Sequence, residues 1–433
     1  MALSGADVTL PPGTTLIEDI TGKSARIILS PQPTADPNQP LNWSSRRKCI
    51  HMIILSFYAL MIFAILCVPP PLWGQINEEL GISFKDLNDA YATSQGTLAL
   101  GCIIFVPFGL KYGRRPVYIL TALIMLASSV WFGKVQSRGD LYGANVICGL
   151  AGAVNEALFQ VTVADLFFVH QRGTMNGIFI VIVLLGNYLG PVASGYVAVS
   201  QGWRWVYWYT TIFMGISCIT VIFSLEESKY ALAPHARTQS LSEATHITEK
   251  GDQKHIGIAK ESEQLSTSSH GPIREIQIDP TIPIKSYWQR HAFMTFDKEG
   301  ASSTTLLMHI YQPFLILVQF PAMMFAALQW GWVIGMLVVL AVVQATLYPG
   351  PPYNFSAAGV GLQNLPPAIG AVLGSMFGGP LNDFFILQVA KRRRGVYEPE
   401  SRLYLFMFPG LCMTIGTLLF GLTIAKVCRS DRG

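Results

Sequence analysis

The sequence predicts an all-α integral membrane protein, and three observations carry that fold class. Hydrophobic residues make up 51% of the 433 and charged residues only 13%, about half the charge of an ordinary soluble domain. Mean hydropathy is +0.40. Nine apolar stretches are each long enough to cross a bilayer. In lipid, backbone N–H and C=O groups must find partners within their own segment, so these stretches are helices.

In chain order, residues 1–45 are polar and proline-rich with no apolar run. They are expected to form a disordered tail, leaving insertion to the first span rather than to a cleaved leader. Spans are predicted near 50–68, 90–110, 117–133, 142–165, 174–198 and 205–224, a six-helix half over 46–225. Segment 226–302 is rich in Ser, Thr, Glu, Lys and His with few aromatics, and most of it is expected to be disordered. Three further spans, near 316–346, 361–381 and 403–425, make a partial second half over 303–425. The softer stretch 305–318, with His309, Gln312 and Pro313, reads as an interfacial helix leading into span seven.

Loop charges set an expected orientation. Arg46, Arg47 and Lys48 precede span one; Lys111, Arg114 and Arg115 lie between spans two and three; Lys391 to Arg394 follow span eight. The alternate loops are poor in Lys and Arg: 69–89 carries Lys85 alone and 347–360 carries no charge. Positive residues stay on the cytoplasmic side, so the N-terminus and segment 226–302 are expected there. After nine spans the tail 426–433, KVCRSDRG, falls on the outer side with Lys426, Arg429 and Arg432. That reversal raises the expectation of a chain truncated within its second half.

A net charge of +4 is too small and too dispersed to imply nucleic acid. Five of the seven cysteines (Cys67, Cys102, Cys148, Cys218, Cys412) lie in apolar runs as small hydrophobes. No pair has metal-ligand spacing, so neither a metal site nor a disulfide framework is supported. Phosphate-binding loops, dinucleotide fingerprints and nucleophile–base constellations do not occur, so no cofactor, ATP drive or enzymatic chemistry is expected. No oligomer is implied.

Two local signatures stand at matching places in the two halves. GLKYGRRP (109–116), with Lys111, Gly113, Arg114 and Arg115, joins spans two and three. GGPLND with KRRR, containing Asp383 and Arg392, follows span eight. Positive-inside loops alone would account for the cations; the repeated position points to a duplicated six-helix unit. In span five, Gly186 precedes LGPVASG with Gly190, Pro191 and Gly195; span eight has Gly370, Gly374 and Gly378 at four-residue spacing. Such positions serve close helix packing, a bend at the proline, or sliding between states.

One ionisable residue lies away from the span ends: Glu156, near the middle of span four. A charge there costs about 2.5–3.5 kcal/mol on insertion scales. It either faces a central cavity, binding a cation or exchanging a proton, or is protonated and bonded to a neighbouring helix. Gln95, Asn155, Gln160, Asn187, Tyr188, Gln329 and Gln344 are further cavity candidates, each also accounted for by helix–helix hydrogen bonding. Asp165, His170 and Arg172 form either a gate network or a solvated helix end. Asn354-Phe355-Ser356 is a glycosylation sequon on the expected outer side, close to the membrane.

Taken jointly, these segments resemble the major facilitator superfamily, in the fungal drug:proton antiporter branch with its polyamine and cation carriers. DPNQPLNWSSRRK (36–48) resembles that branch's lead-in, KYGRRP its loop motif and LGPVASG its antiporter motif. GWRW (202–205), KSYWQR (285–290), FAALQWGW (325–332), PPYNFS (351–356) and YEPESRL (397–403) resemble it further. The resemblance implies a proton-coupled carrier for small organic molecules, an organic cation or drug, in the plasma membrane. Export is the direction LGPVASG implies, with polyamine uptake as the alternative and a non-transporting product as another. The acidic position of the family's loop motif is Leu110 here, and the arginine it often carries in span four is Asn145. A proton pathway through that arginine therefore does not carry over.

Overall fold

The computed structural model describes residues 36–230, 282–283, 285–291, 303–351, 353–376, 385 and 403–430. Regular structure among them is all helical. The first half holds α1 (Ser45–Cys67), α2 (Trp73–Leu80), α3 (Phe84–Tyr112), α4 (Arg114–Gly133), α5 (Arg138–Leu166), α6 (Val169–Leu184), α7 (Gly190–Gln201) and α8 (Trp203–Ser224). After it come α9 (Tyr287–Arg290), α10 (Ser303–Gln319), α11 (Pro321–Leu347), α12 (Ala357–Leu362), α13 (Leu365–Met376) and α14 (Leu403–Ser430).

Local chemistry fixes the helix ends. Ser83 accepts from Asp86 N–H at 3.2 Å to start α3. Ser137 and Asp140 exchange bonds of 3.2 and 3.1 Å in a capping box that starts α5. Between α3 and α4 the chain reverses at Gly113 with φ +115°, a conformation that side chains rarely adopt. Within span five, Pro191 has no N–H to donate to the Asn187 carbonyl four residues back. There the helix widens into a π turn over Leu185–Leu189, joining α6 to α7.

Seven helices among the described residues are long and apolar enough to cross a bilayer: six in the first half, and Pro321–Leu347. The predicted eighth span appears as α12 and α13 with residues 377–384 outside the described set, and the ninth lies within α14, which runs on through Ser430. Segment 305–318 is helical as α10, and Phe320 (φ −110°, ψ 100°) breaks it from α11. Most of 226–302, the tail 1–35 and residues 431–433 lie outside the described residues.

The first half is packed through small residues and paired hydroxyls, although Ser217 Oγ of α8 is buried without a partner among the described residues. A Cβ added at Gly101 of α3 would stand 2.5 Å from the Leu150 carbonyl of α5, so these two helices touch backbone to backbone. In the core, the Tyr58 and Thr121 hydroxyls are 2.8 Å apart and those of Tyr118 and Thr162 3.1 Å apart. Serines 128 and 129, Asn145 and Asn155 are buried, while Ile50, Ile53, Leu100, Ile104, Ile219 and Phe223 are exposed. Apolar side chains on the outer surface, with polar ones among the apolar core, are a distribution that lipid, not water, stabilises.

Successive long helices run antiparallel, which gathers charge at two ends. One end, called the basic end below, carries Arg47, Lys111, Arg114 and Arg115. At the opposite end Glu79 pairs with Arg204 and accepts from Trp203 at 2.5 Å, and Asp86 pairs with Arg138.

Candidate functional site

A small cavity of about 30 Å³ lies where the two halves meet. The first half contributes Cys67, Pro71 and Tyr91, with Asn187, Tyr188 and Pro191 from the π turn and start of α7; the second contributes Gln344 of α11 and Asn364 before α13, among others. Asn187 accepts from the Cys67 thiol at 3.3 Å. Asn364 donates to the Gly361 carbonyl at 3.2 Å, and Gln344 is buried. Amides, phenols and a thiol thus form its polar wall, and no charged side chain is among the described lining residues.

Two glycines close this cavity on the side away from the basic end. A Cβ at Gly195 of α7 would meet the Ala357 carbonyl of α12 at 2.5 Å; one at Gly361 would meet the Pro191 carbonyl at 2.6 Å. Gly186 and Gly190 press on α1 instead: a Cβ at Gly186 would stand 2.7 Å from Phe63 Cβ, and one at Gly190 3.2 Å from Ala64 Cα. Toward the basic end α13 departs from this contact. Nothing lies within 4 Å of a Cβ position at Gly370 or Gly374, and Ile369, Val372 and Leu373 are exposed. Gly378 lies outside the described residues.

Glu156 on α5 is half-buried and makes no hydrogen bond or ion pair among the described residues. It is not among the residues that line the cavity. Its neighbour Asn155 is fully buried, donates to the Ala59 carbonyl of α1 at 3.3 Å and leaves its Oδ1 without a partner. Asn187, Tyr188 and Gln344 line the cavity; Gln95 is half-buried on α3 and Gln160 exposed on α5, and neither lines it. Asn145, where the family often has arginine, donates to the Leu141 carbonyl at 2.8 Å within its own helix.

At the basic end the loop cations hold a network that the sequence reading only partly anticipates. Arg114 donates to Asp165 at 3.1 Å and to the Gly109 carbonyl at 2.7 Å. Arg115 donates to the carbonyls of Leu225 at 2.8 Å, Ile222 at 2.7 Å and His291 at 2.5 Å. With Leu110 at the loop's usual acidic position, a carboxylate arrives from elsewhere: Glu227, just past α8, accepts from the N–H groups of Arg114 at 2.9 Å and Arg115 at 3.1 Å. A carboxylate on the first N–H groups of α4 also meets the positive end of its dipole.

The entry segment joins the same network. Arg47 pairs with Glu226 and lies 3.8 Å over the Trp43 ring. Lys229 donates to the Lys111 carbonyl at 2.6 Å, and Asn38 accepts from Lys285 N–H at 2.8 Å. Arg172 donates to the Ala164 and Phe167 carbonyls, ending α5, whereas the ion-pair partner of Asp165 is Arg114. Asp383 and Arg392 lie outside the described residues. Asn354 is exposed with φ 47° in the loop before α12. The acidic pair Glu226–Glu227 at the exit of span six was the available sequence signal for this network.

A bundle of apolar helices in two parts, with a small, mainly apolar cavity at their junction, is the build of a multi-pass membrane protein. The family model described as Major Facilitator Superfamily matches residues 52–428. The chain belongs to that superfamily and is a multi-pass membrane transporter. It is 32% identical over 440 residues to an uncharacterized MFS-type transporter, C1271.10c, of Schizosaccharomyces pombe, covering 96% of this chain and 76% of that one. With protein HOL1 of Saccharomyces cerevisiae it shares 29% identity, covering 93% and 74% of the two chains. The efflux pump radE of Floropilus chiversii is 23% identical, over 98% and 71%.

Proposed function

We propose that this chain belongs to a proton-coupled secondary transporter that moves small organic cations or drugs by alternating access. The observation that carries this reading is Glu156: the lone mid-span ionisable residue, half-buried and unpaired among the described residues. A proton and a cation compete for one carboxylate, so binding of either lowers affinity for the other, and that linkage is what exchange requires. Asn187, Tyr188 and Gln344 supply amide and phenol groups to orient the substrate, and aromatic faces suit a cation.

The basic end is assigned to the cytoplasm by its cations, with the plasma membrane as the expected site. The Gly195–Ala357 and Gly361–Pro191 contacts then support a conformation closed on the outer side. Lys111, Arg114, Arg115, Asp165 and Arg172, with Asp383 and Arg392, are read as parts of the cytoplasmic gate. Export is the proposed direction, supported by LGPVASG and by a relative named an efflux pump. Uptake of polyamines is a second reading, favoured by a mid-span carboxylate without a cationic partner.

The test is transport in vesicles with an imposed pH gradient, using the full-length protein and its Glu156→Gln variant. Loss of gradient-driven transport with residual exchange is expected; unchanged pH dependence and affinity would refute the role of Glu156. Accumulation of labelled polyamine in cells with and without the protein separates the directions, since an exporter lowers it and an importer raises it.

A further inference from the structure

We infer that the short helix α9, from the segment between the two halves, is an interfacial anchor that seats Trp288 among the phospholipid headgroups of the cytoplasmic leaflet. The choice of leaflet rests on the orientation proposed above. The lipid contact itself does not, and neither depends on what is transported.

Helix α8 packs on α1, α4 and α7. Away from these it carries a stripe of Ile212, Ile216, Ile219 and Phe223, all exposed. Steps of three and four residues keep the four side chains on one face. The second half meets the first chiefly on α3, α7 and the π turn. The stripe therefore lies off the route between the halves, as an apolar face for lipid. It ends at the basic end, where the Phe223 carbonyl accepts from the Tyr287 hydroxyl at 2.7 Å.

That bond fixes α9 at the rim of the lipid-facing surface, and others hold it there. The His291 carbonyl accepts from Arg115 at 2.5 Å, the Arg290 carbonyl accepts from Glu227 N–H at 3.3 Å, and Lys285 N–H donates to Asn38 at 2.8 Å. Gln289 lines a small cleft with Arg47 and Glu226, on the protein side. Trp288, its neighbour on the helix, is 81% exposed, with its ring edge-on to Tyr287 at 5.5 Å. A firmly held indole outside the protein core suits the membrane–water interface, where its ring is shielded and its N–H stays hydrated. Exposed Lys285 and half-buried Arg290 flank it with the charge that an anionic inner leaflet attracts.

The experiment reconstitutes the purified full chain in vesicles of phosphatidylcholine and phosphatidylserine, with photoreactive p-benzoylphenylalanine in place of Trp288. Ile219 of the stripe and Gln136, exposed in the loop between α4 and α5, are replaced likewise as references. Mass spectrometry after illumination should find phospholipid joined at position 288 about as often as at 219. The yield should exceed that at 136 about tenfold, the ratio that partial burial of one aromatic ring sustains. In the same vesicles Trp288→Ala should speed amide exchange across Tyr287–Arg290 about tenfold, while Trp288→Tyr, another interfacial aromatic, keeps it near wild type. Crosslinks from 288 to the chain's own peptides alone, or a lipid yield no higher than at 136, overturn the inference. Unchanged exchange in Trp288→Ala overturns it as well. An N-terminal sidedness reporter tests the orientation separately, and a reporter on the outer side overturns the choice of leaflet.

Discussion

Glu227 accepts a 2.9 Å hydrogen bond from the backbone N–H of Arg114, a residue 113 positions earlier in the chain. With its bond to Arg115 N–H, this ties the exit of α8 to the first turn of α4. The loop motif lacks its usual carboxylate because Leu110 occupies that position, and the acidic group is supplied across the bundle. Removing it leaves two N–H groups at a positive helix end without an acceptor. Glu227→Ala is expected to cost about 1–3 kcal/mol, read as a lower Tm in a fixed detergent. An unchanged Tm would show the bonds to be incidental.

Arg115 acts through geometry that lysine lacks. Its guanidinium reaches three carbonyls, on Ile222, Leu225 and His291, and a compact ammonium cannot span them. Arg115→Lys should therefore release segment 285–291 while the charge stays. Faster amide exchange across Tyr287–Arg290, with exchange in α1 unaltered, is the expected result.

The two ends of predicted span eight should respond oppositely to added methyl groups. Gly361→Ala drives a Cβ to 2.6 Å from the Pro191 carbonyl, and overpacking against backbone costs about 1–3 kcal/mol. Gly374→Ala meets nothing within 4 Å and gains helix propensity of up to about 1 kcal/mol. Melting temperatures of the pair, measured together, should move in opposite directions.

Asn187→Leu removes the acceptor of the Cys67 thiol and one amide from the cavity wall. If the amide orients substrate, KM should rise about tenfold, the equivalent of one hydrogen bond of about 1.4 kcal/mol. A KM equal to wild type would remove Asn187 from the binding wall.

At the opposite end, Glu79 and Arg204 are half-exposed or nearly so. Glu79→Gln should therefore change stability by no more than about 1 kcal/mol. Melting curves of wild type and variant in low and high salt check this, and a large loss at both would mean that the bond from Trp203 outweighs the ion pair.

Much of the fold was legible because lipid imposes a simple rule: a long apolar run must be a helix. The six spans of the first half, the turn at Gly113 and the special backbone around Pro191 all follow from residue type. The network at the basic end was less legible, because Glu227 and Arg114 are distant in sequence and each alone reads as a solvated charge. The cavity lining divided in the same way. Asn187 and Tyr188 precede the proline that distorts their helix, whereas Gln95 and Gln160 are equally polar and equally within spans, yet neither lines the cavity. Residue type reveals that a side chain is polar, not the angle at which its helix is set.

The two glycine contacts between α7 and α12 are made by backbone, with no side chain between them. A joint of this kind has no rotamers to adjust, so it resists gradual deformation and yields by coming apart as a whole. Helices that meet there and diverge toward the basic end form a lever pivoted at one extremity. A small rotation at Gly195 and Gly361 becomes a large displacement at the far end of α13.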